Sequence, residues 1–341
     1  MRIATIDSGT TNSRVYVVDE AAKVYAKVSR QVGVRDTVST GSRATLRDGV
    51  LGAFEEALSV CGLSVQDIDV VAASGMITSE IGLVELDHLW APAGMDELAD
   101  GIERVEDAAV LPIGLPIYFV RGLKNRYDPA VATALDARRL DFMRGEETQL
   151  MGLLDAGVIT PPSTVVILSS HTKFVPIAAN GRILGSLTTI SGQLFDAVVN
   201  GTSLGKSVHG VEKSPKAAEH PDLVRAGFQW ASSAGMLRGL FITRFLDTLL
   251  ETAPAQRRLY LETVVASEDL KVISEFDHLG FPLPDEIVLI GNSRRTELYE
   301  YLLATELEAD MRVKTITDDE TVDRLSIQGV LALLRCAGVL G

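Results

Sequence analysis

Three short stretches carry residue types that could do chemistry. The first is Asp7-Ser8-Gly9-Thr10-Thr11-Asn12-Ser13-Arg14, a carboxylate, a glycine and several hydroxyls set between the apolar, β-branched runs Ile3 to Ile6 and Val15 to Val18. Runs of that kind are strands, so the polar residues form the turn of a hairpin. A glycine leaves room for close approach, and backbone N–H groups with the hydroxyls of Thr10 and Thr11 could surround a phosphate. Asp7 could then hold the phosphate's Mg²⁺ through water, because that ion keeps several waters and prefers hard oxygen ligands. The same residues also suit an ordinary hairpin turn, and the short motif does not choose between the two.

The second stretch is Asp141-Phe142-Met143-Arg144-Gly145-Glu146-Glu147-Thr148-Gln149-Leu150. Adjacent carboxylates suit the positive end of a helix dipole, and they also suit a base that takes a proton from a hydroxyl. Asp141, Glu146 and Glu147 are the candidates for that base. Arg144 could engage a carboxylate with two parallel hydrogen bonds, or simply pair with its acidic neighbours. The third stretch is Ser169-Ser170-His171-Thr172-Lys173, again a polar turn between strand-like runs. Lys173 offers a compact cation for a phosphate. His171 could orient a substrate oxygen or cap the turn; with five histidines and no second one at ligand spacing, a metal role is not indicated.

These stretches need elements to hold them. Val24 to Ser29 supplies a third strand, and Ala44 to Cys61 is a helix with Leu46, Val50, Phe54, Ala57, Leu58 and Cys61 on one face, Ser42 at its start and Gly62 at its end. Val70 to Ser74 is a buried strand running into Ser74-Gly75-Met76-Ile77-Thr78-Ser79, a small polar segment of the kind found at ligand-binding strand ends. Between 80 and 108 only a helix near Asp96 to Ile102 is legible, and Ala109 to Ile113 and Ile117 to Val120 read as strands. The basic cluster Arg121, Lys124, Arg126 reads as a solvated loop. The second half repeats the opening: Val165 to Ile177 reads as a strand, a small polar turn and a strand, with Arg182 to Thr189 as a third strand, followed by helices over 191–199, 221–253 with a break at Gly235, and 259–276. Ile287 to Ile290 and Met311 to Ile316 are strands, with helices at 296–307 and 322–340. Two strand-turn-strand-strand units, each followed by helices, imply duplicated α/β domains, divided as 1–145 and 146–341, the last helix able to pack back on the first domain.

Composition sets limits. A chain of 341 residues exceeds one ordinary core, and 46 acidic against 32 basic residues give a net charge of -14, which argues against a general nucleic-acid or anionic-membrane surface. Cys61 and Cys336 give no disulfide framework and read as core residues of a reduced protein. A strand begins at once, without a leader pattern or a long apolar run, so a soluble cytoplasmic protein is expected, with a homodimer possible.

Taken together, the motifs resemble the 2-dehydro-3-deoxygalactonokinases, sugar-acid kinases of the actin/hexokinase/Hsp70 fold, over nearly the whole chain. Met143 to Leu150 matches the family's octapeptide without change. Asp7, Gly9-Thr10-Thr11-Asn12, Arg14, His171, Lys173, Gly291-Asn292 and Leu298-Tyr299 support it. The chain departs from the family pattern at Ser8 and Phe174, where tryptophan is usual, at Ser169-Ser170, and at Gln193, where a glutamate is common.

The resemblance implies a two-domain actin-like, ribonuclease H-like α/β fold with duplicated mixed sheets and ATP in the cleft between domains. It implies phosphate and nucleotide contacts from Gly9, Thr10, Thr11, Asn12 and Arg14 on one side, and from Ser169, Ser170, Thr172, Lys173, Gly291 and Asn292 on the other. Asp7 would serve Mg²⁺ and catalysis with Glu146 and Glu147. Arg144, Asp141, Met76, His171 and Gln193 would face the sugar acid, whose terminal 6-hydroxyl is phosphorylated. The departures keep two alternatives in view: a kinase of the same fold with another sugar or sugar-acid acceptor, and a relative that binds nucleotide or sugar without turnover.

Overall fold

The structure is a computed structural model that describes residues 1–283, 285–307 and 311–341. The chain forms two compact units, one built from Met1–Pro161, Asn180–Gly185 and Val322–Gly341, the other from Pro162–Ala179 and Ser186–Thr321.

In the first unit β1 (Arg2–Ser8), β2 (Ser13–Asp19) and β3 (Val24–Arg30) make an antiparallel meander, and β4 (Val70–Gly75), β5 (Glu103–Val105) and β6 (Ile117–Phe119) complete a sheet of order β3-β2-β1-β4-β6-β5. β4 runs parallel to β1 and β6 parallel to β4. Central strands covered on both faces need apolar side chains on both, and β1 supplies them. Ala4 and Ile6 join Val15, Val17, Ala26 and Val28 against the Ala44–Cys61 helix through Leu46, Val50, Phe54 and Ala57. Ile3, with Tyr16, Val18, Val70 and Ala72, packs the other way onto Ile327, Val330, Leu331 and Leu334 of the Asp319–Cys336 helix. A small sheet of Leu89–Trp90, Leu123–Lys124 and Phe142–Met143 stands beside it.

In the second unit β7 (Ser163–Leu168), β8 (Thr172–Ile177), β9 (Leu187–Thr189), β10 (Glu286–Gly291) and β11 (Arg312–Ile316) lie in the order β9-β8-β7-β10-β11. This is the β3-β2-β1-β4-β6 order of the first unit again, with the same antiparallel and parallel pairings. The duplicated mixed sheets expected from the sequence are present. One face is covered by the Pro254–Leu270 and Ser293–Thr305 helices through Leu259, Ala266, Leu298 and Leu302.

The division differs from a cut after residue 145. Residues 146–161 and 322–341 group with the first unit because two helices touch there backbone to backbone: a Cβ on Gly152 would lie 1.9 Å from the Leu325 carbonyl oxygen, and one on Gly329 would lie 1.7 Å from that of Thr148. Ala109 to Ile113 is a turn rather than a strand, and the charged Glu103–Val105 segment takes the edge position. Only Leu187–Thr189 of the expected 182–189 strand pairs with β8; Ile183 instead bridges to Ala93. Cys336 is exposed, not core, with Sγ 3.5 Å from Asp96 Oδ1. Among the described residues no helix is long and apolar enough to cross a membrane.

Candidate functional site

The β1–β2 turn is held by its carbonyls. Val34 N–H donates to the Gly9 carbonyl at 3.2 Å, Arg35 N–H to that of Thr10 at 2.9 Å, and Gly9 N–H to that of Asn12 at 2.8 Å. Gly33 makes this possible, since a Cβ there would lie 2.5 Å from the Thr10 carbonyl. With these three oxygens engaged, the turn still offers the N–H groups and hydroxyls of Thr10 and Thr11, which are exposed. At the strand end Asp7 pairs with Arg14, Nη1 to Oδ2 at 3.2 Å, and its side chain is 38% exposed. Desolvation raises the Asp7 carboxyl above its ordinary value, while Arg14 pulls the other way.

Gly75 connects this turn to the octapeptide. A Cβ on it would stand 3.2 Å from Asp7 Oδ1, and a Cβ on Gly145 would stand 3.3 Å from Gly75 Cα. Two glycines with positive φ therefore keep the space beside Asp7 open next to the start of the Glu146–Asp155 helix. There Glu147 accepts the Gly145 N–H through Oε1 at 2.8 Å and has no solvent exposure, and its Oε2 has no hydrogen-bond partner among the described residues. Burial, followed by the charge of Glu146, pushes the Glu147 carboxyl up to about 8. Glu146, by contrast, is partly exposed.

Arg144 donates through Nη1 to Thr78 Oγ1 and through Nη2 to the Leu86 carbonyl, both at 2.7 Å. The arginine expected to hold a substrate carboxylate thus braces the 76–88 loop. His88 Nδ1 lies 3.4 Å from Arg144 Nη2, and burial, aided by that guanidinium, lowers the imidazole to about 4, so His88 is neutral. Gly122 lets the pair close, because a Cβ there would meet Arg144 Cγ at 2.6 Å and His88 Cδ2 at 2.8 Å. Met76 packs against the unit's main core. Asp141 accepts its neighbour's N–H from Phe142 at 2.7 Å, which ties it to the small sheet.

The β7–β8 turn of the second unit follows the same principle with different parts. The Ser169 carbonyl accepts from Arg295 Nη1 at 2.5 Å, that of Ser170 from Gln193 N–H at 2.9 Å, and that of His171 from Ser169 Oγ at 2.8 Å. Gly192 allows the Ser191–Gly201 helix to abut the turn, since a Cβ there would lie 2.3 Å from the Ser169 oxygen. Gln193 engages through its backbone, and its side chain is exposed. Lys173 is buried at 8% exposure and donates to Thr188 Oγ1 at 3.0 Å across the β8–β9 pair, a partner within the sheet rather than at the turn. His171 is shifted down by burial and by Lys173.

Beside this turn lies a cavity of about 860 Å³, lined by Ser170, Ser191, Phe195, Arg258, Asn292 and Tyr299 among others. Its size suits a small-molecule ligand. Asn292 caps the Ser293–Thr305 helix by accepting Arg294 N–H at 2.9 Å, and Gly291 is required because a Cβ would stand 2.7 Å from the Leu168 oxygen. On one wall Arg258 lies 5.0 Å over the Phe195 ring and donates to Glu262 at 2.9 Å.

Within the first unit the structure thus gathers Asp7, the Gly9–Asn12 turn, Arg14 and the Glu146–Glu147 pair around Gly75. Within the second, Ser169, Ser170 and Asn292 line the cavity, whereas His171, Thr172, Gln193 and Gly291 lie close in the chain to residues that line it without lining it themselves. Sequence reasoning missed His88, Arg295 and Asp269. His88 and Asp269 sit in stretches with no motif, whereas Arg295 follows Gly291-Asn292 closely enough for that segment to have flagged it.

A family described as 2-keto-3-deoxy-galactonokinase (DGOK) matches residues 7–329. A curated relative from Rhizobium meliloti (strain 1021), named "Probable 2-dehydro-3-deoxygalactonokinase DgoK1", is 26% identical over 324 residues, 94% of this chain and 93% of its own. A solved Sinorhizobium meliloti structure bearing the same enzyme name superposes with a TM-score of 0.77 at 22% identity, covering 99% of this chain and 98% of that one. That likeness shows that the two chains share a fold. The family match spans the octapeptide and both turns, and the chain belongs to the 2-keto-3-deoxy-galactonokinase family.

Proposed function

We propose that this sugar-acid kinase transfers the γ-phosphoryl group of ATP to the 6-hydroxyl of 2-keto-3-deoxy-galactonate. The observation that carries the reading is the pair of turns, one in each unit, with most of their carbonyls already engaged, at Gly9, Thr10 and Asn12 and at Ser169 to His171. Turns so arranged offer N–H groups to a polyphosphate, and phosphoryl transfer depends chiefly on positioning and charge neutralisation. The cavity in the second unit takes the nucleoside.

Mg²⁺ fits the first unit. Among the described residues no cluster of three or more His, Cys, Asp or Glu forms a protein cage. Asp7 offers one hard carboxylate oxygen beside a bare Gly75, the arrangement suited to an ion that takes most of its ligands from phosphate and water. When bound there the ion would neutralise phosphate charge. Glu146 is the base we assign to the acceptor hydroxyl, because it is partly exposed where Glu147 is wholly buried. Arg144 fixes the loop that carries Thr78 and His88, and neutral His88 can donate a hydrogen bond to the acceptor without adding charge. The cytoplasm, where sugar acids and ATP meet, is the compartment this activity suits.

A coupled ADP-release assay with Mg²⁺-ATP and a panel of 2-keto-3-deoxy sugar acids, aldonates and hexoses tests the reading. Turnover on 2-keto-3-deoxy-galactonate above every other acceptor is expected. Preference for another acceptor would overturn the assignment of 2-keto-3-deoxy-galactonate as the substrate. Nucleotide binding without turnover on any acceptor would overturn the catalytic reading.

A further inference from the structure

Arg295 occupies an unusual position in the second unit. Its guanidinium, 23% exposed, donates through Nη1 to the Ser169 carbonyl at 2.5 Å and through Nη2 to Thr172 Oγ1 and Ser191 Oγ, both at 2.6 Å. The two hydroxyls also bond one another at 2.7 Å. One side chain thereby joins three pieces that local sequence cannot hold together: the turn, the first residue of β8 and the first residue of the Ser191–Gly201 helix. Five rigidly spaced donors on a planar group suit this task, and lysine could satisfy only part of it.

The arginine is itself anchored. Asp269, whose side chain is 1% exposed, lies 3.6 Å from Arg295 Nη2 and accepts hydrogen bonds from the hydroxyls of Tyr299 and Thr189. A buried carboxylate is retained only where its partners satisfy it, and here they fix the orientation of the guanidinium. The geometry has a directional consequence. In a planar trans peptide the C=O and N–H point opposite ways, so capture of the Ser169 carbonyl by Arg295 aims the Ser170 N–H away from the arginine.

We propose that Arg295, anchored by Asp269, is the positioning residue that sets the Ser169–Thr172 turn for the polyphosphate of the nucleotide. The proposal rests on the functional reading above, in which that turn receives phosphate. It assigns Arg295, which also lines the cavity, a larger effect on phosphate-bearing ligands than on nucleosides.

Titration calorimetry of the intact protein with ATP, ADP and adenosine provides the test. Arg295→Met should weaken ATP and ADP by about tenfold or more, as expected for lost charge-assisted hydrogen bonds, and adenosine by less than about twofold. Arg295→Lys should recover part of the loss. Asp269→Asn, which leaves the guanidinium in place, should shift ATP and ADP in the same direction by about threefold; it and Arg295→Lys carry the test if Arg295→Met does not fold. Equal weakening of all three ligands, unchanged affinities, or a silent Asp269→Asn would each overturn the proposal while the wild type still binds ATP. A wild type that binds neither ATP nor ADP would overturn the functional reading, and this inference with it.

Discussion

Glu146 and Glu147 are neighbours in the chain but differ in environment, and that difference is the ground on which we propose Glu146 rather than Glu147 as the base. Glu147 has no solvent exposure, whereas Glu146 is partly exposed, and burial pushes the Glu147 carboxyl up to about 8, so that it is protonated at neutral pH. A group raised in the folded state binds an extra proton there, so its stabilising effect is complete below the unfolded value and is lost as pH rises through about 8. Glu147→Gln mimics the protonated acid. Urea melts from pH 5 to 8.5 should therefore show the variant gaining on wild type, by at most about 1.4 kcal/mol per pH unit; parallel curves would sink the assignment. Glu146→Gln should instead leave stability nearly unchanged and lower kcat about 10²-fold or more, the usual loss of a general base. Equal, wild-type-like rates for both variants would remove both from catalysis. The sequence showed that two acids stood here but not which was buried, because burial is set by residues far along the chain.

At the scale of elements, legibility followed length and pattern. The hairpins of both units and the Ala44–Cys61 helix stand where their apolar spacing put them, and Gly62 ends that helix in the left-handed conformation. Elements of two or three residues, such as Leu89–Trp90 and Glu103–Val105, are too short to show a period and form only because a neighbour pairs with them. Glycines were legible as turns but not as contacts. Gly192 is the clearest case: an alanine there would drive its Cβ to 2.3 Å from the Ser169 oxygen and 2.9 Å from Ser170 Cα, pushing the helix off the turn. Gly192→Ala should raise the KM for ATP and cost about 1–3 kcal/mol of stability, the usual penalty of overpacking. Gly201→Ala, in the same helix with nothing within 4 Å of a new Cβ, should change neither. A Gly192→Ala enzyme with unaltered KM would show that the turn tolerates displacement of the helix.

At the scale of the whole chain, the connectivity of the two units predicts how each can be isolated. The duplication was legible because the strand order repeats, but the boundary was not, since it depends on the close approach of the helices carrying Gly152 and Gly329 rather than on any local signal. A cut after residue 145 removes the Asp319–Cys336 helix, leaving Ile3, Tyr16, Val18, Val70 and Ala72 without Ile327, Val330, Leu331 and Leu334. It also removes the Glu146–Asp155 helix with its buried Leu150, Met151 and Leu153. A 1–145 fragment should therefore melt without a cooperative transition. Residues 162–321 hold the entire second unit, interrupted only by Asn180–Gly185, and include both its sheet and its helical layer. A 162–321 fragment should unfold cooperatively in urea, as expected of a part with its own core. Circular dichroism of the two fragments decides the matter: a cooperative 1–145 and a structureless 162–321 would mean that the cores are divided along the chain rather than by the packing described here.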